Sequence, residues 1–181
     1  MSILWIEERA VDGINAEACR AYPQETGGIL VGYIADGELP VVVTVVGPGP
    51  DAVHQRDRFQ PDHAWQCERL DELYDRSAGV LVYLGDWHTH PDGSPQMSWL
   101  DRKTIRAIAR HAPAQCAQPL MLIGGGSPGG WQWVGHRFRS ERLLGMLIFC
   151  EVLEVRRFRP PEEMLFEYET DYEGWPRRSE G

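Results

Sequence analysis

The sequence predicts a single α/β domain, a sandwich in which a mixed β-sheet is flanked by helices. Apolar runs of strand length and amphipathic stretches of helical period both recur along the chain, without a strict strand–helix–strand alternation. The length of 181 residues suits one domain with a substantial core. Together these two observations favour a mixed sheet over a purely parallel one.

The predicted elements extend from the first residues to about residue 158. Strands are predicted at residues 3–6, 25–32, 40–46, 80–88, 120–123, 131–138 and 143–155. Helices are predicted at residues 12–22, 61–76 and 98–112, where apolar side chains recur at helical spacing. Residues 51–59 are polar and predict a loop. The glycine cluster at residues 124–130 lacks the Gly-Lys-Ser/Thr ending of a phosphate-binding loop and predicts a hairpin turn.

The composition changes after residue 160. Residues 161–181 are rich in acidic and aromatic side chains, which predicts an acidic C-terminal tail following a domain of residues 1–160. A solvated or loosely docked tail is the simpler interpretation. A partner-binding segment remains the alternative.

Charge and cysteine usage limit the class of protein. A formal net charge of −9 argues against nucleic acid or an anionic membrane as the main partner. No apolar run approaches the roughly 20 residues that span a bilayer, and the first residues do not form a signal peptide. Without C-x-x-C pairs, the cysteines are expected to be reduced, buried residues of a cytoplasmic protein: Cys19, Cys67, Cys116 and Cys150.

A metal site is predicted where the strand at residues 80–88 ends and the helix at residue 98 begins. His88 and His90 are one residue apart, and alternate side chains of a strand point to the same face. Asp101 lies in the first turn of the next helix and can turn back as a third ligand. Two imidazoles and one carboxylate leave a fourth position open, as in catalytic zinc sites.

A simpler interpretation exists for each part of this stretch. A His-x-His pair occurs by chance in many proteins, and Ser98-x-x-Asp101 is an ordinary helix-start motif. Neither explanation accounts for the histidine pair lying just before the helix start. The combination therefore favours one bound zinc ion.

The neighbouring residues suggest hydrolysis of an amide-like bond. Zinc lowers the pKa of bound water toward about 7, so a second group must take and return a proton. Glu25, at the mouth of a glycine-rich strand, is the candidate general base and acid, although a solvated carboxylate would be the simpler interpretation. The Ser98 hydroxyl could donate a hydrogen bond to an oxyanion.

The pattern as a whole resembles the JAMM motif of the JAB/MPN zinc metalloproteases. Glu25-x-Gly-Gly-x-Leu-x-Gly32 precedes His88-x-His90-Pro91, and Ser98-x-x-Asp101 follows after six residues. The resemblance implies the β-sheet-plus-helices fold of that family, which is related to cytidine deaminases. It also implies a zinc peptidase or isopeptidase that cuts after the C-terminus of ubiquitin-like proteins. By position, His88, His90 and Asp101 take the zinc-ligand roles, Glu25 the acid/base role and Ser98 the oxyanion role.

The bacterial branch of the family is the nearer likeness. The stretch at residues 85–91 is similar to JAB peptidases encoded beside bacterial ubiquitin-like conjugation enzymes, including those of cyclic-nucleotide anti-phage defence operons. That likeness implies a protein substrate with an extended C-terminal tail and neighbouring E1- or E2-like enzymes as partners. Eukaryotic ubiquitin-specific members carry a long insertion after the helix of Asp101, whereas here only residues 113–118 separate the predicted helix from the next strand.

Other function classes fit the sequence less well. A metallo-β-lactamase-like hydrolase needs H-x-H-x-D-H, and a nucleobase deaminase needs H-x-E with P-C-x-x-C; neither motif is present. A non-catalytic scaffold remains open, since some family members lack the zinc ligands. For the substrate, we expect an extended chain to pair with a free strand edge near the histidines, in a channel beside Trp87 and Trp99.

Overall fold

The computed structural model describes residues 2–141 and 147–160, and its elements follow the predicted order. The strands are β1 (Ile3–Glu7), β2 (Gly27–Ala35), β3 (Leu39–Val46), β4 (Val53–His54), β5 (Phe59–Gln60), β6 (Val82–Pro91), β7 (Leu120–Gly126), β8 (Gln132–Glu141) and β9 (Leu147–Phe158). The helices are α1 (Glu8–Ala21), α2 (His63–Arg76), α3 (Trp99–Arg110) and the short 3₁₀ helix at Ala112–Ala114. Residues 143–146 of the last predicted strand and the predicted tail, residues 161–181, lie outside the described residues.

Seven strands form one mixed sheet in the order β1-β3-β2-β6-β7-β8-β9. The pairs β1–β3, β6–β7 and β1–β9 are parallel, whereas β2–β3, β2–β6, β7–β8 and β8–β9 are antiparallel. The predicted α/β fold with a mixed sheet and flanking helices is confirmed. Pairing of β1 with β9 also closes the sheet into a barrel, which local sequence patterns do not predict.

The helices lie on the two faces of this sheet. We call the face that packs against α1 the inner face, where Ala10, Val11 and Ile14 of the helix contact apolar strand residues such as Leu30 and Trp87. On the opposite, outer face, α2 packs over β2 and β3 through Leu70 and Leu73. Ile105 of α3 packs there on Met121 and Ile123 of β7. Strand β6 lies between β2 and β7, so its outer face runs between α2, with which Tyr83 packs, and α3.

Three expectations about local structure need correction. Residues 51–59 are not only loop, because β4 and β5 pair as a small two-stranded sheet. Within the glycine cluster, residues 124–126 continue β7, and the turn begins only at Ser127. Cys19 and Cys67 are exposed rather than buried, whereas Cys116 and Cys150 are half-buried.

No helix within residues 2–141 and 147–160 combines the length and the apolar character needed to cross a membrane.

Candidate metal centre

The histidine pair lies on the outer face of β6, in the opening between α2 and α3. His88 is in register with Ile123 of β7, whose side chain packs under α3, so the imidazole points to the same side. Trp87 directly precedes His88 and therefore faces inward, where it is only 1% exposed and its Nε1 donates to the Val46 carbonyl. The expectation that Trp87 borders a substrate channel is wrong.

Three candidate ligand side chains converge at this point. His88 Nε2 lies 3.1 Å from His90 Nε2 and 3.2 Å from Asp101 Oδ1, and His90 Nε2 lies 3.4 Å from Asp101 Oδ2. A tetrahedral zinc ion with bonds of about 2.0–2.1 Å places its ligand atoms about 3.3 Å apart. The donor set and its spacing therefore fit zinc. Two unprotonated imidazole nitrogens at this distance would repel each other without a cation or a proton between them.

A backbone carbonyl fixes the orientation of His90. Its Nδ1 donates to the Ser94 carbonyl at 3.0 Å, so in the neutral form of the ring Nε2 carries the lone pair, directed toward His88 and Asp101. A carbonyl behind a ligating imidazole is the usual means by which proteins set the tautomer of a metal-binding histidine. The loop at residues 92–97 is thus part of the site.

The helix-start motif orients Asp101. Ser98 is the N-cap of α3, and its Oγ accepts a hydrogen bond from the Asp101 backbone N–H at 3.2 Å. In return, Asp101 Oδ2 accepts from the Ser98 backbone N–H at 2.6 Å. Burial alone would raise the pKa of Asp101, but the hydrogen bonds from His88 and His90 outweigh it and hold that pKa well below its usual range. The carboxylate is therefore in the charged form that binds a metal.

Glu25 lies beside these residues at the start of β2. The next residue, Thr26, is fully buried, and its backbone N–H and C=O bond to Thr89, the residue between the two histidines. The Thr26 hydroxyl also donates to the buried Glu17 carboxylate at 2.9 Å. Burial raises the pKa of the half-buried Glu25 carboxyl, while the rings of His88 and His90 act in the opposite direction. The predicted acid/base residue is therefore within electrostatic range of the ligands.

The glycines that follow Glu25 permit this close approach of β2 to β6. Gly27 is in register with His88, and a Cβ at residue 27 would lie 2.5 Å from the Trp87 carbonyl oxygen. At Gly28, a Cβ would lie 2.0 Å from the Val46 carbonyl oxygen. Neighbouring backbone therefore comes too close at Gly27 and Gly28 for a side chain.

Sequence reasoning missed two residues that hold the loop at residues 92–97. A Cβ on Gly125 would lie 2.4 Å from the Pro95 nitrogen and 2.5 Å from the Ser94 carbonyl carbon. The loop therefore packs directly against the backbone of Gly125. His136 Nε2 donates to the Pro95 carbonyl at 3.1 Å, and burial lowers the pKa of this ring, which favours its neutral form. The glycine cluster was a sequence signal that could have pointed to Gly125. His136 is a single histidine on β8, and no sequence signal pointed to it.

Two further segments contact the start of this loop at Asp92. The Tyr22 hydroxyl donates to Asp92 Oδ1 at 3.0 Å, and the Arg56 guanidinium donates to Oδ2 at 3.3 Å. The Asp92 backbone N–H donates to the Gly126 carbonyl at 2.7 Å. The end of α1, the β4–β5 connection and β7 thus all meet beside the ligands.

The stretch of β6 up to His88 is not a free strand edge. Strand β6 pairs with β2 on one side and with β7 on the other, along the whole stretch that carries His88. The register with β2 begins at Gly27, opposite His88, whereas the pairing with β7 continues to Pro91. Pairing of an extended substrate with a free strand edge near the histidines therefore stays a prediction.

Comparison with known proteins agrees with the geometry. The family described as prokaryotic homologs of the JAB domain matches residues 7–138. The Sinorhizobium fredii (strain NBRC 101917 / NGR234) protein named "Probable metalloprotease y4qB" is 36% identical over 145 residues, 78% of this chain and 88% of that protein. A protein of Enterobacter hormaechei subsp. hoffmannii (strain UCI 50), named "CD-NTase/cGAS isopeptidase", is 32% identical over 126 residues, 69% of this chain and 68% of that one.

A solved structure supports the fold. The solution structure of protein DSY2949 from Desulfitobacterium hafniense matches with a TM-score of 0.64, covering 89% of this chain and 97% of that chain at 19% identity. The family match covers well over half of the sequence, and it includes the histidine pair and Asp101. The chain therefore belongs to the family of prokaryotic JAB-domain homologues, the bacterial branch of the JAB/JAMM proteins.

Proposed function

We propose that this protein is a zinc-dependent isopeptidase or peptidase. It hydrolyses the amide bond after the C-terminus of a ubiquitin-like protein, or of a protein conjugated in a ubiquitin-like manner. The convergence of His88, His90 and Asp101, with ligand atoms 3.1–3.4 Å apart, carries the proposal. The relatives named as a metalloprotease and as isopeptidases support the same class of reaction.

The three ligands provide an open catalytic site rather than a closed structural one. Structural zinc sites have four protein ligands, whereas catalytic sites have three and leave one position for water or substrate. When bound, zinc supplies a Lewis acid that polarises a carbonyl group and lowers the pKa of water to about 7. Within the described residues, the cluster with metal-ligand geometry consists of these three side chains.

Glu25 is the proton carrier in this proposal. The hydrogen bonds of Thr26 to Thr89 hold the Glu25 segment against the strand of the ligands. Partial burial raises the pKa of the Glu25 carboxyl toward the range in which it can both take and release a proton. In amide hydrolysis Glu25 would accept the proton of the attacking water and pass it to the leaving amine.

Ser98 can serve both the helix and the reaction. A hydroxyl has two acceptor lone pairs and one donor proton. The N-cap bond to the Asp101 N–H uses a lone pair of Ser98 Oγ, so the proton is not committed to capping. In the proposed reaction the hydroxyl donates that proton in a hydrogen bond to the oxyanion of the tetrahedral intermediate.

The body of the substrate protein supplies most of the recognition in this proposal. Only residues 111–119 connect α3 to β7, so the long insertion of ubiquitin-specific relatives has no counterpart there. A short extended tail offers little contact area by itself. Free ubiquitin chains should therefore be poor substrates.

Three fusion proteins test the proposed function. The first is a linear ubiquitin dimer. The second, the cognate fusion, is the ubiquitin-like protein or nucleotidyltransferase encoded beside this gene, extended at its C-terminus by a short peptide. The third is an unrelated protein with the same tail.

Zinc-dependent cleavage of the cognate fusion, well above that of the other two, is the expected result. Equal cleavage of all three would exclude recognition of the substrate body. Cleavage of none by zinc-loaded protein would refute the enzymatic assignment and favour a scaffold.

A further inference from the structure

One side of α3 carries a stripe of one aromatic and three basic side chains, all exposed except Arg106, which is half-buried. Trp99, Lys103, Arg106 and Arg110 occur at positions i, i+4, i+7 and i+11, which align on one side of a helix. We call these four residues the α3 stripe. Trp99 is 75% exposed, and the Lys103 ammonium lies 5.6 Å from the centroid of its ring. Beside them Leu100 is 52% exposed.

The cations of α3 differ from most arginines of the described residues in having no acidic partner there. Within residues 2–141 and 147–160, no carboxylate lies within ion-pair distance of Arg102 or of the basic residues of the α3 stripe. Many other arginines do pair with carboxylates: Arg20, Arg56, Arg69, Arg137, Arg139, Arg156 and Arg159. In a protein of net charge −9, these unpaired charges form a local basic surface.

This surface has a fixed relation to the metal centre. Asp101 belongs to the first turn of α3, two residues from both Trp99 and Lys103. Ile105 is fully buried against β7, so the helix cannot turn independently of the ligands. Positions two apart on a helix lie on nearly opposite sides, so a protein bound to the α3 stripe would be held in a defined position across α3 from the metal centre.

We infer that the α3 stripe docks an acidic surface of the substrate protein. This inference rests on the proposed function and specifies how the body of the substrate is recognised. Tryptophan and arginine are the residues most often found to dominate protein interfaces, and both occur in the stripe. Complementary charges beside an interface mainly increase the association rate and the discrimination between partners. A nucleic acid fits less well, because the rest of the protein is acidic and would repel a long polyanion.

A charge-reversal experiment tests the docking surface. Lys103→Glu/Arg110→Glu should raise KM for the cognate fusion by about tenfold at low salt, leave kcat unchanged, and lose this effect at high salt. Cleavage of a peptide containing only the C-terminal tail of that fusion should change by less than about twofold.

The matched control is Arg157→Glu/Arg159→Glu. This variant makes the same charge change on the α1 side, where Arg157 lies beside Ile14 and Arg159 pairs with Glu8. Its kinetics should resemble those of the wild type. Equal KM values for the cognate fusion in both double variants would overturn the inference, and so would equal effects on fusion and tail peptide.

Lys103 also permits a direct test, because it is the only lysine in the sequence. In zinc-loaded Glu25→Ala protein, a zero-length carbodiimide should join the Lys103 amine to an acidic residue of the cognate fusion. Lys103→Arg keeps the charge but removes this amine, so it should abolish the cross-link without raising KM.

The cross-link separates the possible occupants of the stripe. Joining of Lys103 to a carboxylate within residues 162–173 of the same chain would overturn the inference and assign the stripe to the protein's own acidic segment. Absence of any cross-link at Lys103 would also overturn it. If the wild type cleaves no fusion, the proposed hydrolysis fails, yet a cross-link from Lys103 to the cognate fusion would still support docking.

Discussion

Substitution of Gly125 by alanine should weaken zinc binding although Gly125 is not a ligand. The new Cβ would lie 2.4 Å from the Pro95 nitrogen, 2.5 Å from the Ser94 carbonyl carbon and 2.7 Å from the Gly93 oxygen. All three are backbone atoms, so the loop must move by about 1 Å to reach ordinary contact distance. Such a shift would lengthen the bond from His90 Nδ1 to the Ser94 carbonyl from 3.0 Å to about 4 Å and break it.

The expected loss of zinc affinity is about 10- to 100-fold, the usual effect of removing a partner behind a metal-ligating histidine. Competition with a chromophoric chelator would measure it, alongside the unfolding temperature of metal-free protein. Gly130→Ala is the matched control, because the nearest atom to its Cβ, the Ser127 oxygen, lies 3.9 Å away. Wild-type zinc affinity in a folded Gly125→Ala protein would refute the idea that this glycine supports the site.

Four further variants examine the proposed roles of the site residues. His88→Ala should lower the zinc content from one ion per chain to nearly none in elemental analysis; unchanged content would disprove the ligand assignment. Glu25→Ala should keep the zinc but lose about 10²- to 10⁴-fold in kcat, and either a wild-type rate or loss of zinc would contradict its role as proton carrier. Ser98→Ala should reduce kcat less than Glu25→Ala and lower the free energy of unfolding by about 1 kcal/mol through loss of the N-cap. Ser98→Thr, which retains a hydroxyl, should restore most of the kcat and most of the free energy of unfolding. Failure of this rescue would count against a role for the hydroxyl.

The convergence of His88, His90 and Asp101 was predictable because it depends on local geometry. Two residues separated by one position share a face of any strand, and β6 continues through both histidines. Asp101 follows from the helix start, because Ser98 fixes where α3 begins. The same alternation would also have placed Trp87 on the opposite face, so its assignment to the channel was an avoidable error.

The closure of the barrel and the contacts that hold the loop at residues 92–97 depend on segments that are distant in the sequence. Closure of the barrel requires β1 to pair with β9, strands separated by most of the chain. His136 contacts the loop only because β8 lies two strands from β6 in the sheet. No periodicity in the sequence encodes such pairings, and a single histidine on a strand is not distinctive. The glycine cluster was visible, but whether glycine serves a turn or a close contact depends on what packs against it.

The helix-start motif and the metal site are one structure rather than competing interpretations of the same residues. The capping box uses Asp101 Oδ2 to accept the Ser98 N–H, and this bond restrains the carboxylate while Oδ1 faces His88. The bond from Ser98 Oγ to the Asp101 N–H fixes the backbone of the same turn. An aspartate in the first turn of a helix is also favoured by the helix dipole, which stabilises its charged form. The capping box is common because it stabilises the start of a helix. Here the same motif also orients the Asp101 carboxylate and keeps it ionised, as the proposed zinc site requires.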